Sequence, residues 1–461
     1  MHILKDKALR KEFISFTIPF LIQELIINLT GLLTSFIVNP QVGEEVRNGI
    51  FAAGRIYFLL SMTIGAVVFV GNLFISQHFG KGKMDSVKKD FHLALKLAFI
   101  INLLFFLVCM IIPKQLITLF IPGQELAIEL GAKYMRVFAI SFPFTGLSLI
   151  YYCLMKCSGL ERYASLNSII TLGVMLVTTT IFVFATPNMI EGIALATVIT
   201  RFIELVINVV IVQIKGNVKF SFKDFISPNT KLFKRFIRHG GPLTIAKLSW
   251  AFAFIMISVI LGQLHNPYIS DANGLLSNVL GIIMCIPNAI TATLSVSIGR
   301  RLGANKLEDA KETGQQILKL NGVLAVITMC LFLLGCPIVI GIHSATTPLK
   351  EETLGYLWKF FLITSVTFVP RCYNGPIMNG ILNAGGDTLY VSIVDSIAGW
   401  VSTVLLGFLG VHFNWHPLAI YSCLQLDEIV KFPVNLWRYK KGIWIRNIVK
   451  KDVDEDVAIE Q

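Results

Sequence analysis

Charged residues are scarce in this sequence. Asp, Glu, Lys and Arg make up 15 % of its 461 residues, whereas 54 % are hydrophobic. A soluble domain usually contains about 25 % charged residues. The composition therefore excludes an ordinary soluble protein and favours an integral membrane protein.

Signatures of catalysis and of bound cofactors are also missing. The sequence contains no GxxxxGK[ST] phosphate-binding loop and no HExxH motif, and its eight cysteines form no CxxC pair. An ATP-driven pump and a membrane-embedded enzyme are thus not predicted. We expect neither a cofactor nor a metal site.

The apolar residues form twelve blocks, each long enough to cross the hydrocarbon core of a bilayer, about 30 Å, as a helix. The first block is too long for the core of a signal peptide, so it is interpreted as a retained span. The expected limits are 12–38, 49–79, 90–112, 130–155, 163–185, 188–214, 239–262, 272–298, 312–341, 352–382, 388–411 and 416–437. The predicted fold class is an all-α integral membrane protein with twelve transmembrane helices.

The distribution of the 40 Lys and Arg residues predicts the orientation in the membrane. With a cytoplasmic N-terminus, 27 of the 40 fall in cytoplasmic segments and three in outside loops, as the positive-inside rule requires. Both termini of this multi-pass protein are therefore expected in the cytoplasm. The net charge of +12 needs only anionic lipid as a partner, and no nucleic acid.

The chain repeats itself at a fixed distance. Pro19 and Gly80 recur 223 positions later as Pro242 and Gly303, and each glycine precedes a [GN]-K-x-[DE]-x-x-K segment. The sequence thus predicts two six-helix lobes related by a pseudo-two-fold axis along the membrane normal. The expected divisions are an N-lobe over 1–214, a cytoplasmic linker over 215–238, and a C-lobe over 239–461 that includes a short cytoplasmic tail.

At these positions the sequence resembles the multidrug and toxic compound extrusion (MATE) family, prokaryotic type. The resemblance rests on Pro19, on ISQHFGKGK and its repeat SIGRRLGANKLEDA, and on GILNAGGDT at 380–388 followed by Asp395 and Trp400. It implies two six-helix lobes around a central cavity that opens alternately to the two sides of the membrane. It also implies export of organic solutes in exchange for H⁺ or Na⁺.

Carboxylates are missing where the family has its cation site. Counting from the proline of each span, the acid common in the first span falls at Thr34, and that of the seventh falls within 247–250. The fifth span keeps Asn167 but has Thr171 where an acid would follow. The resemblance therefore leaves the coupling ion, H⁺ or Na⁺, open.

Ionisable side chains within the blocks are candidate site residues, because each costs about a few kcal/mol at bilayer depth. Arg201 and Glu204, three positions apart on one helix, are expected to neutralise each other. Asp395 is either a site residue or the partner of a Ser or Thr hydroxyl in the second lobe. The full set is Glu24, Arg55, Arg201, Glu204, Lys247, Arg371 and Asp395.

Glu24 and Lys247 are repeat mates of opposite sign and allow two interpretations. In one, they form a gate that pairs in one state and parts in the other. In the other, which we favour, Lys247 and Arg371 contact an anionic or zwitterionic solute and Glu24 is the titratable coupling group. Structural roles remain open for both cations: Lys247 reaching the headgroups, and Arg371 binding carbonyls freed by Pro376.

Aromatic residues near the buried charges complete the predicted site. Tyr57, Trp250 and Tyr373 each lie within a few residues of such a charge, where a ring can stack on an organic solute. Asn374, beside Tyr373, is included as a polar contact, as is Thr34.

Prolines within the blocks are the expected kinks, because proline removes a helical hydrogen bond. Only Pro19 and Pro242 are repeat mates. The alternative for these two is a position in the first helical turn, where proline is tolerated without a kink. The expected kink positions are Pro19, Pro242, Pro287 and Pro376.

Together these features predict a secondary active exporter, an antiporter that carries small organic amphiphilic solutes or drugs across the cell membrane. We expect it to work as a monomer by alternating access. A flippase for a lipid-linked saccharide, from the same wider superfamily, is the alternative. Such flippases often have more spans than 461 residues comfortably allow.

The orientation is testable with single cysteines in a cysteine-free background. We expect Lys223→Cys, in the linker, to react with a membrane-impermeant maleimide in everted vesicles but not in intact cells. Lys350→Cys, in an outside loop, is the matched control and should show the opposite pattern. Labelling of position 223 in intact cells would rule out the two six-helix lobes.

Overall fold

The computed structural model describes residues 6–38, 41–186, 188–227, 230–264, 266–346 and 350–449, and their regular structure is helical. The expected cytoplasmic tail from residue 450 onward lies outside the described residues. The helices are α1 (Lys7–Val38), α2 (Glu44–Gly80), α3 (Met84–Ile111), α4 (Pro113–Thr118), α5 (Glu125–Ala139), α6 (Ser141–Ser158), α7 (Glu161–Ala185), α8 (Met189–Lys215), α9 (Phe222–Ile226), α10 (Thr230–Gly262), α11 (Pro267–Ile283), α12 (Cys285–Gly303), α13 (Leu307–Thr346), α14 (Glu351–Gly375), α15 (Thr388–Ala398), α16 (Leu406–His412), α17 (Pro417–Cys423) and α18 (Leu426–Lys440), with π-helical stretches at Pro376–Leu382 and Gly399–Leu405.

Long apolar helices dominate the fold, as the blocks predicted. Within the described residues, nine helical segments are long and apolar enough to cross a membrane, or up to 11 if two bent pairs each count as one span. The bends are 45° between α5 and α6 and 43° between α11 and α12. The predicted all-α integral membrane fold is confirmed.

The twelfth block, predicted at 416–437, is two short helices, α17 and α18, rather than one continuous span. Along α18, Asp427, Lys431 and Asn435 recur every four residues and are buried, whereas Val430 is 50 % exposed. This helix therefore turns its polar face into the protein and its apolar face outward. Such an arrangement is expected where the surrounding medium is lipid.

The described contacts group the chain into two compact units. Unit 1 contains Met1–Leu21 and Ile245–Gln461, and unit 2 contains Ile22–Thr244. Helices α1 and α10 therefore each begin in one unit and end in the other. The lobe boundaries expected from the sequence did not include this exchange of the two half-helices.

Pro19 and Pro242 lie just before the points where α1 and α10 change units. Both prolines are inside their helices, so a first-turn position is wrong. Unit 1 ends its first segment at Leu21, and unit 2 ends at Thr244, so each boundary follows its proline at the same spacing. Since proline interrupts the helical hydrogen bonds, each helix is weakened close to its boundary.

In unit 1, the first part of α1 is held on α12 by polar contacts. The Glu12 carboxylate accepts hydrogen bonds from Arg301 at 2.6 and 2.8 Å and from Ser297 at 2.8 Å. One turn further along, the hydroxyls of Thr17 and Thr293 lie 2.9 Å apart. A bidentate ion pair of this kind fixes orientation as well as position.

In unit 2, the first part of α10 is held on α2 and α3 in the corresponding place. Arg235, the repeat mate of Glu12, lies 3.6 Å from Asp90, whose other oxygen is 2.5 Å from His78 Nδ1. The Arg235 guanidinium also stacks on Phe74, 4.5 Å from the ring centroid. The two contacts are thus equivalent in the repeat, but α1 contributes a negative charge, Glu12, and α10 a positive charge, Arg235.

The repeated [GN]-K segments form equivalent turns. Helix α2 ends at Gly80 and α12 at Gly303, and two residues later Gly82 and Asn305 have positive φ angles of 75° and 60°. Glycine adopts this left-handed conformation freely and asparagine more readily than most residues. The motif is therefore a helix-ending turn in both repeats.

The connector between α8 and α10 packs on α3. Its short helix α9 places Asp224 2.6 Å from Lys88, and the Ser221 amide donates to His92 Nε2 at 2.9 Å. The Lys88 ammonium donates a hydrogen bond to the Asp224 carboxylate, and this bond lowers the pKa of Asp224 below its ordinary value. These contacts fix the connector on unit 2.

Helices α2 and α5 pack against each other at two glycines, Gly49 and Gly131. A Cβ atom on Gly49 would lie 2.7 Å from the Ala127 carbonyl oxygen and 2.8 Å from the Cα of Gly131. These distances are below van der Waals contact, and both neighbours are backbone atoms, which cannot move aside as the end of a flexible side chain can. The helix pair therefore needs glycine at position 49.

We expect Gly49→Ala to destabilise the protein by about 1–3 kcal/mol, as overpacking does, and to lower the thermal midpoint of the purified protein. Gly54→Ala is the control on the same helix, because a Cβ there meets nothing within 4 Å. Its midpoint should be unchanged or raised, since alanine favours helix over glycine. Equal midpoints for the two variants would exclude the close approach.

Candidate functional site

Unit 2 contains a cavity of about 880 Å³ between α1, α2, α5, α6, α7 and α8. Most of its wall is apolar or aromatic. Thr34 and Tyr57 are among the predicted site residues that line it, and Tyr134 and Tyr152 add two further rings. A cavity of this size and character suits an organic molecule.

Among the described residues, three charged ones line this cavity: Arg47, Arg201 and Glu204. Arg201 and Glu204 are one turn apart on α8, and a guanidinium nitrogen lies 2.6 Å from the carboxylate. The pairing expected from their spacing is present. Glu204 is the deeper of the two, with 6 % of its side chain exposed against 35 % for Arg201.

A chain of amides and a hydroxyl supports Glu204. Asn167 on α7 donates to the Glu204 backbone carbonyl at 3.1 Å and to the Asn208 side-chain oxygen at 2.7 Å. Asn208 donates in turn to Ser148 at 2.7 Å. The side-chain oxygen of Asn167 is buried and accepts no hydrogen bond within the described part of the chain. This network joins α6, α7 and α8 beside the cavity.

The two positions of unit 2 at which the family resemblance led us to expect a cation-binding carboxylate, Thr34 and Thr171, are polar but uncharged. The Thr34 hydroxyl is buried in the cavity wall and has no hydrogen-bond partner among the described residues. Thr171 lines the same cavity. The carboxylate of this cavity comes instead from Glu204 on α8. The sequence did not reveal this placement, because an arginine one turn away indicated simple neutralisation.

Glu24 and Arg55, also predicted as site residues, are not among the residues that line the described cavity. Glu24 interacts electrostatically with Lys156 of α6. The Arg55 guanidinium stacks on Phe51, 4.5 Å from the ring centroid, and Phe51 does line the cavity. Lys156 was missed because it directly follows the fourth block, so it was counted with the cytoplasmic cations.

Unit 1 contains a second group of buried charges, centred on Lys431. Its ammonium lies 2.9 Å from Asp427 and 3.2 Å from Asp395, and 5 % of its side chain is exposed. Lys247 on α10 interacts electrostatically with Asp395 and with Lys431. Two predicted residues, Asp395 and Lys247, therefore belong to one cluster. The partner of Asp395 is an ammonium rather than the hydroxyl considered from the sequence.

Arg371 and Asn374 extend this cluster through Glu428. Arg371 donates to Gln425 at 2.8 Å, and its Nε lies 3.9 Å from a Glu428 oxygen. Asn374 donates to the Glu428 carboxylate at 2.8 Å. In the described structure the polar partners of Arg371 are thus side chains, not backbone carbonyls near Pro376.

Half of this cluster was missed at the sequence level. The polar residues of the twelfth block were treated as part of an ordinary span, although their four-residue spacing is a signal for one buried polar face. The cluster is balanced in formal charge, because it combines the cations Lys247, Arg371 and Lys431 with the carboxylates Asp395, Asp427 and Glu428.

The remaining predicted residues have packing roles in the structure. Trp250 stacks on Phe254 with ring centroids 5.5 Å apart, and Tyr373 packs on an aromatic ring of α18 at 5.6 Å. Pro287 lies in the first turn of α12, directly after the 43° bend from α11. Pro376 begins a π-helical stretch. Both prolines therefore lie next to irregular helix.

The sequence matches a family profile over most of its length. The MatE profile matches residues 19–181 and 242–409, so both matched segments begin at a repeat proline. A Listeria monocytogenes protein described as a probable multidrug resistance protein NorM is 22 % identical over 433 residues, covering 91 % of this chain and 92 % of the relative. A Halalkalibacterium halodurans protein of the same description is 20 % identical over 430 residues, covering 91 % and 90 %.

Solved structures share the fold across nearly the whole chain. One is a multidrug resistance MATE family transporter of the MOP superfamily in an outward-facing conformation; its TM-score is 0.85 at 15 % identity, covering 94 % of this chain and 96 % of that chain. Another, a Pyrococcus furiosus transporter of the MOP superfamily described by the reverse polarity of its binding pocket, has a TM-score of 0.83 at 16 % identity with the same coverage. Together with the internal repeat and the helical fold, the profile match establishes that this chain belongs to the MatE family of membrane transporters.

Proposed function

We propose that the protein is a secondary active exporter that carries small organic amphiphilic solutes out of the cell by alternating access. The observation that carries this proposal is the cavity in unit 2, about 880 Å³ in volume. Its wall is apolar and aromatic over most of its surface, and hydroxyl, amide and charged side chains supply polar groups throughout it. Such cavities bury the apolar body of a ligand, while the polar groups orient it.

The relatives support export of drugs, since those from Listeria monocytogenes and Halalkalibacterium halodurans are described as probable multidrug resistance proteins. The fold supports alternating access, because α1 and α10 each change from one unit to the other close to a proline, Pro19 or Pro242. We propose these two prolines as the hinges. The protein would act as a monomer in the cell membrane, with both termini in the cytoplasm.

A gradient of H⁺ or Na⁺ is the proposed energy source, because the sequence has no nucleotide-binding loop. Exchange requires a group that binds the ion in one state and releases it in the other. Glu24 is the coupling carboxylate proposed from the sequence, and Lys156 is its electrostatic neighbour.

Lys247 and Arg371 are the proposed contacts for an anionic or zwitterionic solute in unit 1. Carboxylates of the same cluster hold both cations in place. The Arg371 Nε atom is buried without a hydrogen-bond partner in the described residues. The guanidinium therefore keeps a donor with which to bind a solute oxygen.

Export is testable in everted vesicles with an imposed pH or Na⁺ gradient and two fluorescent dyes of similar size, one anionic and one cationic. We expect gradient-dependent uptake by the wild type. Lys247→Ala should lower uptake of the anionic dye about tenfold, the value of one contact of about 1.4 kcal/mol, and spare the cationic dye. Lys359→Ala, at an exposed position of unit 1, is the control.

Two results would count against this account. Unchanged uptake of the anionic dye by Lys247→Ala would remove Lys247 from the solute site. Wild-type vesicles that accumulate neither dye under either gradient would refute export of such solutes.

A further inference from the structure

Arg201 and Glu204 place both signs of charge at one point of the unit 2 cavity. Their side chains lie on α8, line the cavity and contact each other at 2.6 Å. In the cavity as described, the two charges therefore neutralise each other. A solute must either leave this ion pair intact or, if it separates the pair, supply an opposite charge to the residue that has lost its partner.

Displacement by a singly charged solute is unfavourable. An anion that drew Arg201 away would leave Glu204 buried without its counter-charge, and a cation that captured Glu204 would do the same to Arg201. Removing one partner from a buried ion pair is strongly destabilising, because the other charge has lost its hydration as well. A zwitterion brings both charges and turns one ion pair into two.

The hydrogen bonds of Arg201 leave it open to such a solute. Among the described residues, its guanidinium has one hydrogen bond, from a single nitrogen to Glu204. A guanidinium has five N–H donors, so Arg201 retains donors for a carboxylate while it still contacts Glu204. Because 35 % of its side chain is exposed, these donors are within reach of the cavity.

The rest of the cavity wall favours the same class of solute. Arg47 is the only other charged lining residue in the described structure, so positive charge exceeds negative charge in the wall and a simple cation is disfavoured. Tyr57, Tyr134 and Tyr152 line the same space. Their rings offer surfaces against which an aromatic solute can stack.

Building on the proposed export function, we propose that the Arg201–Glu204 pair makes the unit 2 cavity selective for zwitterionic aromatic solutes. The anionic group of the solute binds the remaining donors of Arg201. Its cationic group approaches the deeper Glu204 carboxylate, and its rings pack on the tyrosines. These two residues thereby determine specificity through charge rather than through the shape of the cavity.

Rhodamine B, a zwitterion at neutral pH, and its ethyl ester, a cation with the same rings, form a matched pair of probes. Binding of each dye to the purified full-length protein in lipid nanodiscs is measured by fluorescence anisotropy. We expect the wild type to prefer rhodamine B. Arg201→Gln should weaken binding of rhodamine B about tenfold or more and leave the ester unchanged or tighter. Arg162→Gln, at an exposed position of unit 2, should change neither.

A second variant covers the case in which Arg201→Gln does not fold, since it leaves Glu204 without its counter-charge. Arg201→Gln/Glu204→Gln removes both charges of the pair but keeps Arg47, and we expect it to lose most of the wild-type preference for rhodamine B. The proposal is overturned if the double variant keeps the wild-type preference for rhodamine B. It is equally overturned if folded Arg201→Gln protein loses affinity for both dyes to the same extent.

The binding experiment is independent of export. It uses no gradient, so a protein that binds the dyes with the expected preference supports the charge selectivity even if vesicles show no uptake. Conversely, gradient-driven uptake of both dyes together with an unchanged preference in the double variant would retain the exporter and reject the role of the pair.

Discussion

An ionised side chain is stable at bilayer depth only if an opposite charge or a hydrogen-bonding network faces it. This constraint accounts for the buried charges of both units. In unit 2, Arg201 lies 2.6 Å from Glu204. In unit 1, Lys431 lies within 3.2 Å of both Asp395 and Asp427. The contact with Asp395 joins α15 to α18, which explains why α18 turns its polar face inward.

The same constraint determines which contact site is bound by the first part of α1 and which by the first part of α10, the two helices that change units. Glu12 on α1 binds Arg301, whereas its repeat mate on α10, Arg235, lies near Asp90. Each half-helix therefore carries the charge that its own contact site attracts and that the equivalent site in the other half repels. Opposite charges at repeat positions thus prevent either half-helix from using the other's site, a form of selection by repulsion.

The sequence predicts the membrane class, the repeat and the helix-ending turn, because lipid imposes apolar length and backbone geometry imposes Gly or Asn where φ is positive. It does not predict which unit the first part of α1 joins, since an apolar stretch can pack on many neighbours. The partner of Asp395 was missed because Lys431 lies 36 positions away. Glu204 and its arginine were recognised as a pair, but their position in the cavity depends on how α7 and α8 pack.

Thermal unfolding of Lys431→Met tests most directly the claim that buried charges of this protein are held by their partners. The substitution leaves Asp427 without its ammonium partner at 2.9 Å. We therefore expect the free energy of unfolding to fall by about 3–5 kcal/mol and the thermal midpoint to fall clearly. In the double variant Lys431→Met/Asp427→Asn, Asp395 still has Lys247 as an opposite charge. This variant should recover most of the lost stability. If Lys431→Met unfolded at the wild-type midpoint, or the second substitution brought no recovery, the claim would be wrong.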